Sequence, residues 1–360
     1  MNPFKPTAGK MPPVLIGRDS VMHGFEDVLD GSMDAPGLML ISGQSGQGKT
    51  VMLTALGRIA ADRSWYVVSD TASYGVSERL AAALVERGLG STSISSAPAG
   101  LDLGEAIECR LGRMPEGKGV LFTIDEMQAA SEDDLAAIAD AIEHVDEEMQ
   151  GLPDGRGHGV AFVFAGLPSM VNEVLNDKRL AFLRRARQQV LGGLPLTDVC
   201  AAYIEAVRES GKQIGQEDAL AAAEAAAGYP YMVQLVGYCM WQSAERRGSS
   251  CIEHTDVERG IGEAVVAYGD AVCAPLMDGL TPAQREFVKA VAVVAPAHAA
   301  VSDIAKRCRR SPSWASKYRA SLIKERVIEP DGRGFERLTV PHLADYLRKS
   351  SAAYGGTQTI

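Results

Sequence analysis

Apolar residues in the first half of the chain follow two alternating periods. Leu38-Met39-Leu40-Ile41, Trp65 to Ser69, Gly119 to Ile124 and Val160 to Ala165 are short runs with almost no polar side chains, the pattern of strands buried on both faces. Between them the spacing becomes helical. Val21, Phe25, Val28 and Leu29 fall on one face of Ser20 to Leu29, and further helices are predicted after Val51, over Val76 to Leu89 and over Ser131 to Met149. Ser131 with Glu132-Asp133-Asp134 suits the start of the last of these, where a cap and negative charge are favoured. Gly90 to Gly100 and Gly151 to Gly159 are small, polar or glycine-rich and read as loops. Strands alternating with helices predict a parallel sheet that binds ligands at the carboxyl ends of its strands.

From Thr197 the chain becomes alanine-rich, and its periodicity predicts only helices: Thr197 to Ser210, Glu217 to Ala227, Tyr231 to Arg246 and Thr255 to Tyr268. Gly228-Tyr229-Pro230 separates two of them, a C-cap glycine followed by a proline at a helix start. The last segment has a third pattern. Thr281-Pro282 opens a helix through Val294, Ser302 opens one over Asp303 to Arg310, and Ser311-Pro312 opens one over Ser313 to Glu325. Val327-Ile328 and Arg337 to Val340 flank the turn Glu329 to Gly334 and predict a hairpin. Three helices and a hairpin describe a winged helix-turn-helix. On its third helix Trp314, Tyr318 and Leu322 form an inward stripe, leaving Ser313, Ser316, Lys317, Ala320 and Lys324 outward.

Composition narrows the setting. The chain has 360 residues, of which 46% are apolar, enough for two or three domains. It contains no window of about 18 apolar residues, and its proline-rich start lacks an apolar signal core, so a cytoplasmic protein without a membrane partner is expected. Its six cysteines are scattered, with no Cys-x-x-Cys pair, and are expected to be buried thiols rather than zinc ligands or disulfides. The net charge of −10 argues against a nucleic-acid partner when taken whole, but residues 278–349 hold 14 Lys+Arg against 8 Asp+Glu. That segment is therefore +6 and the remainder −16. Its outward helix face, with Arg309, Arg310, Arg319 and Arg333 for phosphates or the minor groove, suits duplex DNA. The competing reading is a protein partner, since winged helices also mediate protein contacts.

The chemistry centres on Gly43-Gln44-Ser45-Gly46-Gln47-Gly48-Lys49-Thr50, set between the strand-like run 38–41 and the helix beginning near Val51. A phosphate chain needs a loop whose N–H groups turn inward, where a Cβ would block the turn, together with the positive end of a helix. The glycines permit that turn, Lys49 would neutralise the terminal phosphates, and the Thr50 hydroxyl would be a Mg²⁺ ligand. A second buried run ends in Asp125-Glu126. Asp125 can hold Mg²⁺ directly or through water, and Glu126 can orient and deprotonate an attacking water. Beyond the last run lie Lys178, Arg179, Arg184, Arg185 and Arg187. Either Arg184 or Arg185 can serve as an arginine finger on a neighbouring subunit, or the segment is a basic solvated helix.

Together these motifs resemble the AAA+ ATPases of the origin-recognition-like clade that carry a C-terminal winged helix, over roughly residues 14–349. The resemblance implies that Gly17-Arg18-Asp19 helps to seat the adenine, that Gly43 to Thr50 is the Walker A segment with Val51 beside it as a further nucleotide contact, and that Ile124-Asp125-Glu126 is Walker B. It places sensor 1 at Ala165 to Pro168 and sensor 2 at Gly228 to Tyr231. Sensor 1 is usually polar and sensor 2 is usually arginine, yet Ala165-Gly166 and Tyr231 stand there, which points to binding and slow hydrolysis. The expected fold class is α/β, a P-loop NTPase parallel sheet followed by a helical lid and a winged helix. The expected divisions are a flexible tail over 1–13, the ATPase core over 14–195, the lid over 196–272, the winged helix over 273–349 and a second flexible tail over 350–360. The expected function is an ATP- and Mg²⁺-dependent switch or loader on DNA, with an ATP-dependent homo-oligomer and an unidentified protein partner. The alternative is an ATP-stabilised, binding-only regulator or scaffold. A small-molecule kinase is disfavoured because nothing in the sequence resembles an acceptor pocket.

Overall fold

The computed structural model describes residues 1–7, 10–12, 15–29, 37–86, 101–150, 159–168 and 181–354. It divides into two compact units, Arg18–Gly43 with Gly48–Gly192, and Met1–Gly17 with Gln44–Gln47 and Gly193–Ile360. The loop expected at 90–100, residues 151–158 of the loop expected at 151–159, and the basic residues Lys178 and Arg179 lie outside the described residues.

The first unit is built on five parallel strands: β1 (Gly37–Ser42), β2 (Tyr66–Thr71), β3 (Val120–Asp125), β4 (Val160–Gly166) and β5 (Arg187–Val190). They lie in the order β2-β3-β4-β1-β5. All residues of β1, β3 and β4 are buried, because helices cover both faces of the sheet and continuous apolar runs are what such strands require. Phe122 and Phe162 stack on one face with ring centroids 4.5 Å apart. α1 (Asp19–Leu29) precedes β1, and the strands are linked through α2 (Lys49–Asp62), α3 (Val76–Glu86), α4 (Leu103–Leu111) and α5 (Glu132–Gln150). In the segment expected to be a basic helix, the described residues instead form a 3-10 turn, Ala181–Arg185, and then the edge strand β5.

The second unit is mainly helical, but not without strands. It contains α6 (Leu196–Glu209), α7 (Gln216–Ala226), α8 (Pro230–Arg246) and α9 (His254–Tyr268), with a two-residue parallel bridge between β6 (Gln213–Ile214) and β7 (Cys251–Ile252). Pro230 opens α8 where its missing N–H has no partner to lose. A π-helical stretch, Gly269–Cys273, continues into α10 (Ala274–Gly279). The C-terminal segment forms α11 (Pro282–Val294), α12 (Val301–Arg307) and α13 (Pro312–Lys324), with a three-stranded antiparallel sheet of β8 (Ala299–Ala300), β10 (Phe335–Leu338) and β9 (Ile328–Pro330). A further helix, α14 (Leu343–Tyr354), closes the described chain.

The described residues depart from three of the expected divisions. Phe4 is 4% exposed, with its ring edge-on to Tyr203 at 5.7 Å. It fills the space left by Gly237, where an added Cβ would lie 2.5 Å from the ring. Asn2 and the Lys5 N–H are bonded to α8 through the Tyr238 carbonyl and Gln234 at 3.1 and 3.0 Å. Burying one phenylalanine is worth about 2 kcal/mol, so the start of the chain is held as part of this unit rather than as a flexible tail. The lid and wing segments do not have separate cores. Tyr203, Met240 and Tyr268 from the first share one apolar core with Phe287, Leu322 and Leu343 from the second. At the other end, the chain is helical through Tyr354, past the expected start of the C-terminal tail at residue 350.

Candidate functional site

The loop expected to cradle phosphates joins β1 to α2. Gly46 and Gly48 have φ of 83° and 88°, the left-handed region in which glycine costs least, and Gly48 is the residue that opens α2. The Gly43 N–H donates to the Gly166 carbonyl at 3.3 Å, which joins the loop's first residue to the end of β4. The Lys49 ammonium is 5% exposed and donates to the Gly43 carbonyl at 3.0 Å, so its side chain folds back along the loop. Burial lowers its pKa, while the charges of Glu126 and Asp125 work in the opposite direction. Val51 sits in the first turn of α2.

The tip Gln44–Gln47 belongs to the second unit. It is closed by the Gln44 N–H donating to the Gln47 side-chain oxygen at 2.8 Å and by the Gln47 N–H donating to the Gln44 carbonyl at 3.2 Å. The Ser45 carbonyl accepts from the Tyr229 hydroxyl, and the Gly46 carbonyl accepts from the Tyr231 N–H at 3.2 Å. Burial raises the Tyr229 pKa strongly, which keeps its hydroxyl a donor. Neither tyrosine role was legible as chemistry in the sequence, although Tyr231 occupies the expected sensor 2 position.

Thr50 and Asp125 meet. The Thr50 hydroxyl donates to the Asp125 carboxylate, although the two residues are 75 positions apart in sequence. The sheet order explains the meeting: β1 and β3 flank β4, and both end on the same side of the parallel sheet. A hydroxyl and a carboxylate oxygen side by side form a hard oxygen pair that suits Mg²⁺, which is commonly held by one or two protein oxygens and substrate phosphates. Among the described residues no group of three or more His, Cys, Asp or Glu side chains is placed to hold a metal. Glu126 follows in a left-handed conformation, φ 50° and ψ 43°, with its N–H bonded to Asp125 Oδ1 at 2.9 Å. That kink turns the Glu126 side chain away from the strand direction. Gln128, which sequence reasoning missed, donates its carboxamide N–H to the Glu126 carboxylate and accepts the Leu167 N–H at 3.2 Å.

Arg18 is 8% exposed, and its guanidinium donates to the Gly192 carbonyl at 3.0 Å, so it ties α1 to the chain leaving β5. Burial lowers its pKa. Gly17 precedes it at φ 60°. Arg184 and Arg185 are both exposed in the 3-10 turn, and Arg185 pairs with Asp146 at 3.3 Å.

In the basic segment Arg309, Ser313, Ser316, Lys317, Lys324 and Arg333 are all exposed. Two of the expected DNA contacts are engaged within the protein instead. Arg319 pairs with Glu336, a carboxylate with no exposed surface that needs a cation to offset its burial. Arg310 forms a two-nitrogen pair with Glu286 at 3.0 and 3.3 Å. Trp314 and Tyr318 are half-buried rather than fully inward, and Ala315 with Leu322 takes the buried positions of α13. Of the six cysteines expected to be buried, three are: Cys200, Cys239 and Cys273. Cys251 is exposed, and Cys109 and Cys308 are half-buried.

A parallel sheet in this order, with a glycine loop after β1 and an acidic pair after β3, is a P-loop NTPase fold. Residues 14–151 match the family described as AAA ATPase domain, a span that includes the whole loop and the Asp125-Glu126 pair, and this supports a nucleotide-binding AAA+ protein. Residues 270–347 match a domain of unknown function (DUF8462). No curated protein matches the chain. Among solved structures the chain is similar to the Aeropyrum pernix ORC2 protein in its ADPNP-ADP complexes, with a TM-score of 0.65 and 11% identity over 98% of both chains. It is also similar to a Walker-type ATPase of Pyrococcus abyssi, with a TM-score of 0.68 and 14% identity over 93% of this chain and 96% of that one. Cdc6p from Pyrobaculum aerophilum gives a TM-score of 0.51 and 15% identity over 97% of each. These likenesses establish a shared fold. No helix among the described residues is long and apolar enough to cross a membrane.

Proposed function

We propose that the protein is an AAA+ ATPase of the origin-recognition-like clade, which binds ATP with Mg²⁺, hydrolyses it slowly and uses its nucleotide state as a switch or loader on duplex DNA. The observation that carries this reading is the bond from the Thr50 hydroxyl to the Asp125 carboxylate, which joins the end of the glycine loop to the acidic pair. Mg²⁺ held there would offset the charge that develops on the phosphates. Lys49, bonded to the Gly43 carbonyl, would turn to the terminal phosphates when they enter. Glu126 would take the proton of the attacking water as oxygen bonds to the γ-phosphorus and ADP departs. Arg18 and Gly17 would border the adenine, and Arg184 or Arg185, exposed beyond β4, would complete the site of a neighbouring copy. The local charge of +6 over 278–349, with Arg309, Lys317, Lys324 and Arg333 exposed, supports DNA contact through α13 and the hairpin.

A second reading is favoured by one observation. Arg319 and Arg310, which sequence alone offers to phosphates, are engaged by Glu336 and Glu286. This suits a binding-only regulator whose wing module takes a protein partner. ATP turnover measured with and without duplex DNA separates the two. Turnover that Glu126→Gln abolishes and that responds to DNA supports the switch, whereas tight ATP binding without turnover in either condition supports the regulator.

A further inference from the structure

The connection between Glu126 and the end of β4 has a donor and acceptor pattern that only a carboxamide satisfies. The backbone N–H of Leu167 can only donate, and it does so to the side-chain oxygen of Gln128 at 3.2 Å. An ionised carboxylate can only accept, and that of Glu126 accepts from the Gln128 nitrogen. The two partners thus fix which end of the amide is oxygen and which is nitrogen. A Leu at 128 would serve neither partner, and a Glu would serve Leu167 but set a second carboxylate against Glu126.

The backbone is arranged to make this contact. Glu126 occupies the left-handed region at φ 50°, a conformation that costs energy for a residue with a Cβ and persists where surrounding structure fixes it. Met127, 1% exposed, anchors the 3-10 turn Met127–Ala129, and the Ala129 N–H closes it on the Glu126 carbonyl at 2.8 Å. Kink and turn together bring side chains 126 and 128 into contact, whereas an α-helix starting at Glu126 would set positions two apart on different faces. β4 itself ends in Ala165-Gly166 and is followed by Leu167, none of which offers a polar side chain there. The polar group that this strand end presents to Gln128 is the N–H of Leu167.

We propose that Gln128 is a positioning residue for hydrolysis: its carboxamide holds the Glu126 carboxylate in register with the end of β4, so that the base meets the attacking water in one orientation. This rests on the reading of Glu126 as general base. Because Gln128 acts through Glu126 and is itself exposed, its removal should reduce turnover and spare nucleotide binding.

The test is a double-mutant cycle on the full chain, with steady-state ATP turnover and fluorescent-nucleotide affinity measured for the parent, Gln128→Leu, Gln128→Glu, Glu126→Gln and Gln128→Leu/Glu126→Gln. The expected result is a fall in kcat on the order of 10-fold for each single Gln128 variant, with KM and nucleotide affinity within about twofold of the parent. Adding Gln128→Leu to Glu126→Gln should bring no further loss. An unchanged kcat in both Gln128 variants overturns the proposal, as does an equal loss in the Glu126→Gln background. A rise in kcat also overturns it, because Gln128 would then be holding the base back. Turnover of Glu126→Gln at the parent rate, or a parent that binds ATP without turning it over with or without duplex DNA, removes the general-base reading itself. That failure is distinguished from the others because it shows without any change at residue 128.

Discussion

Arg319 of α13 and Glu336 of β10 form an ion pair in which the carboxylate has no exposed surface while the guanidinium side chain is 33% exposed. The pair joins the third helix to the hairpin, and its two ends are unequal. Arg319→Ala strands a buried charge, which typically costs about 3 kcal/mol, whereas in Glu336→Ala the remaining arginine can turn to water. We expect Arg319→Ala to lower the urea midpoint more than Glu336→Ala, and Arg319→Met/Glu336→Leu to restore most of the loss. Equal midpoints for the two alanine variants would show that burial of the carboxylate is not what sets the cost.

Lys49→Ala should abolish ATP binding, because it removes the cation next to the loop carbonyls. Glu126→Gln should keep binding and lose turnover by about 10²-fold or more, as expected for a removed general base. Isothermal titration and phosphate release on the same preparations check both. Parent-like ATP affinity in Lys49→Ala would overturn the site assignment.

Gly46→Ala should weaken nucleotide binding and lower stability by about 1–2 kcal/mol. Gly46 has a φ of 83°, and an added Cβ would lie 2.9 Å from the Tyr229 ring, whose hydroxyl is bonded to the Ser45 carbonyl. Either the loop tip or the ring must move. Tyr229→Phe, which removes only the hydroxyl, should be milder in a thermal melt and in titration; a variant pair of equal effect would contradict this.

Asp134 at the start of α5 gives a pH prediction. Burial pushes its carboxyl up, but hydrogen bonds from Ser131, Ser77 and the Gly75 N–H outweigh this and hold it at about 2. A carboxyl depressed in the folded state stabilises fully above its unfolded value, about 3.9, and that contribution fades as pH falls toward 2. Asp134→Asn should therefore be less stable at neutral pH and show a flatter decline of stability between about pH 4 and pH 2. Parallel acid limbs for parent and variant in chemical denaturation would count against it.

Much of the sheet was legible in the sequence, because β1, β3 and β4 are buried on both faces and their apolar runs have no other reading. β5 was not, because Arg187-Gln188-Gln189-Val190 is an edge strand that alternates between half-buried and exposed and carries no apolar run. α4 carries a readable signal in the capping box of Asp102 and Glu105, but its apolar stretch is too short to stand out by periodicity. The glycine loop and the Asp125-Glu126 pair stand out in the sequence because each pattern is local to a loop or a strand end. Gln128 could not, because its contact depends on a left-handed kink at Glu126 that no periodicity announces. Arg319 reads as a DNA ligand in sequence for a related reason: its partner lies 17 residues away and is brought opposite only when the hairpin folds back on α13. The first residues read as a tail because of their prolines, while one phenylalanine among them meets the cavity over a glycine.

The basic module should bind DNA through the side chains that remain exposed, and not through every cation the segment holds. Deleting 278–349 is a poor test, because it would take Phe287, Leu322 and Leu343 out of the core shared with the lid segment. Single substitutions leave that core intact. Lys317 is exposed on α13 and Arg333 is exposed in the hairpin turn, so Lys317→Ala and Arg333→Ala should each weaken duplex binding. Removing one cation from a phosphate should reduce the slope of log affinity against log salt by about 1. Lys317 is the better candidate for a base edge, and its replacement should also relax sequence preference. Arg310→Ala should change the slope less, since that guanidinium is already paired with Glu286. Fluorescence anisotropy from about 0.05 to 0.2 M salt reads all three, in a range where screening acts within roughly 14 to 7 Å. Slopes that stay parallel to the parent in Lys317→Ala and Arg333→Ala would move the duplex elsewhere on the protein and leave this module to a protein partner.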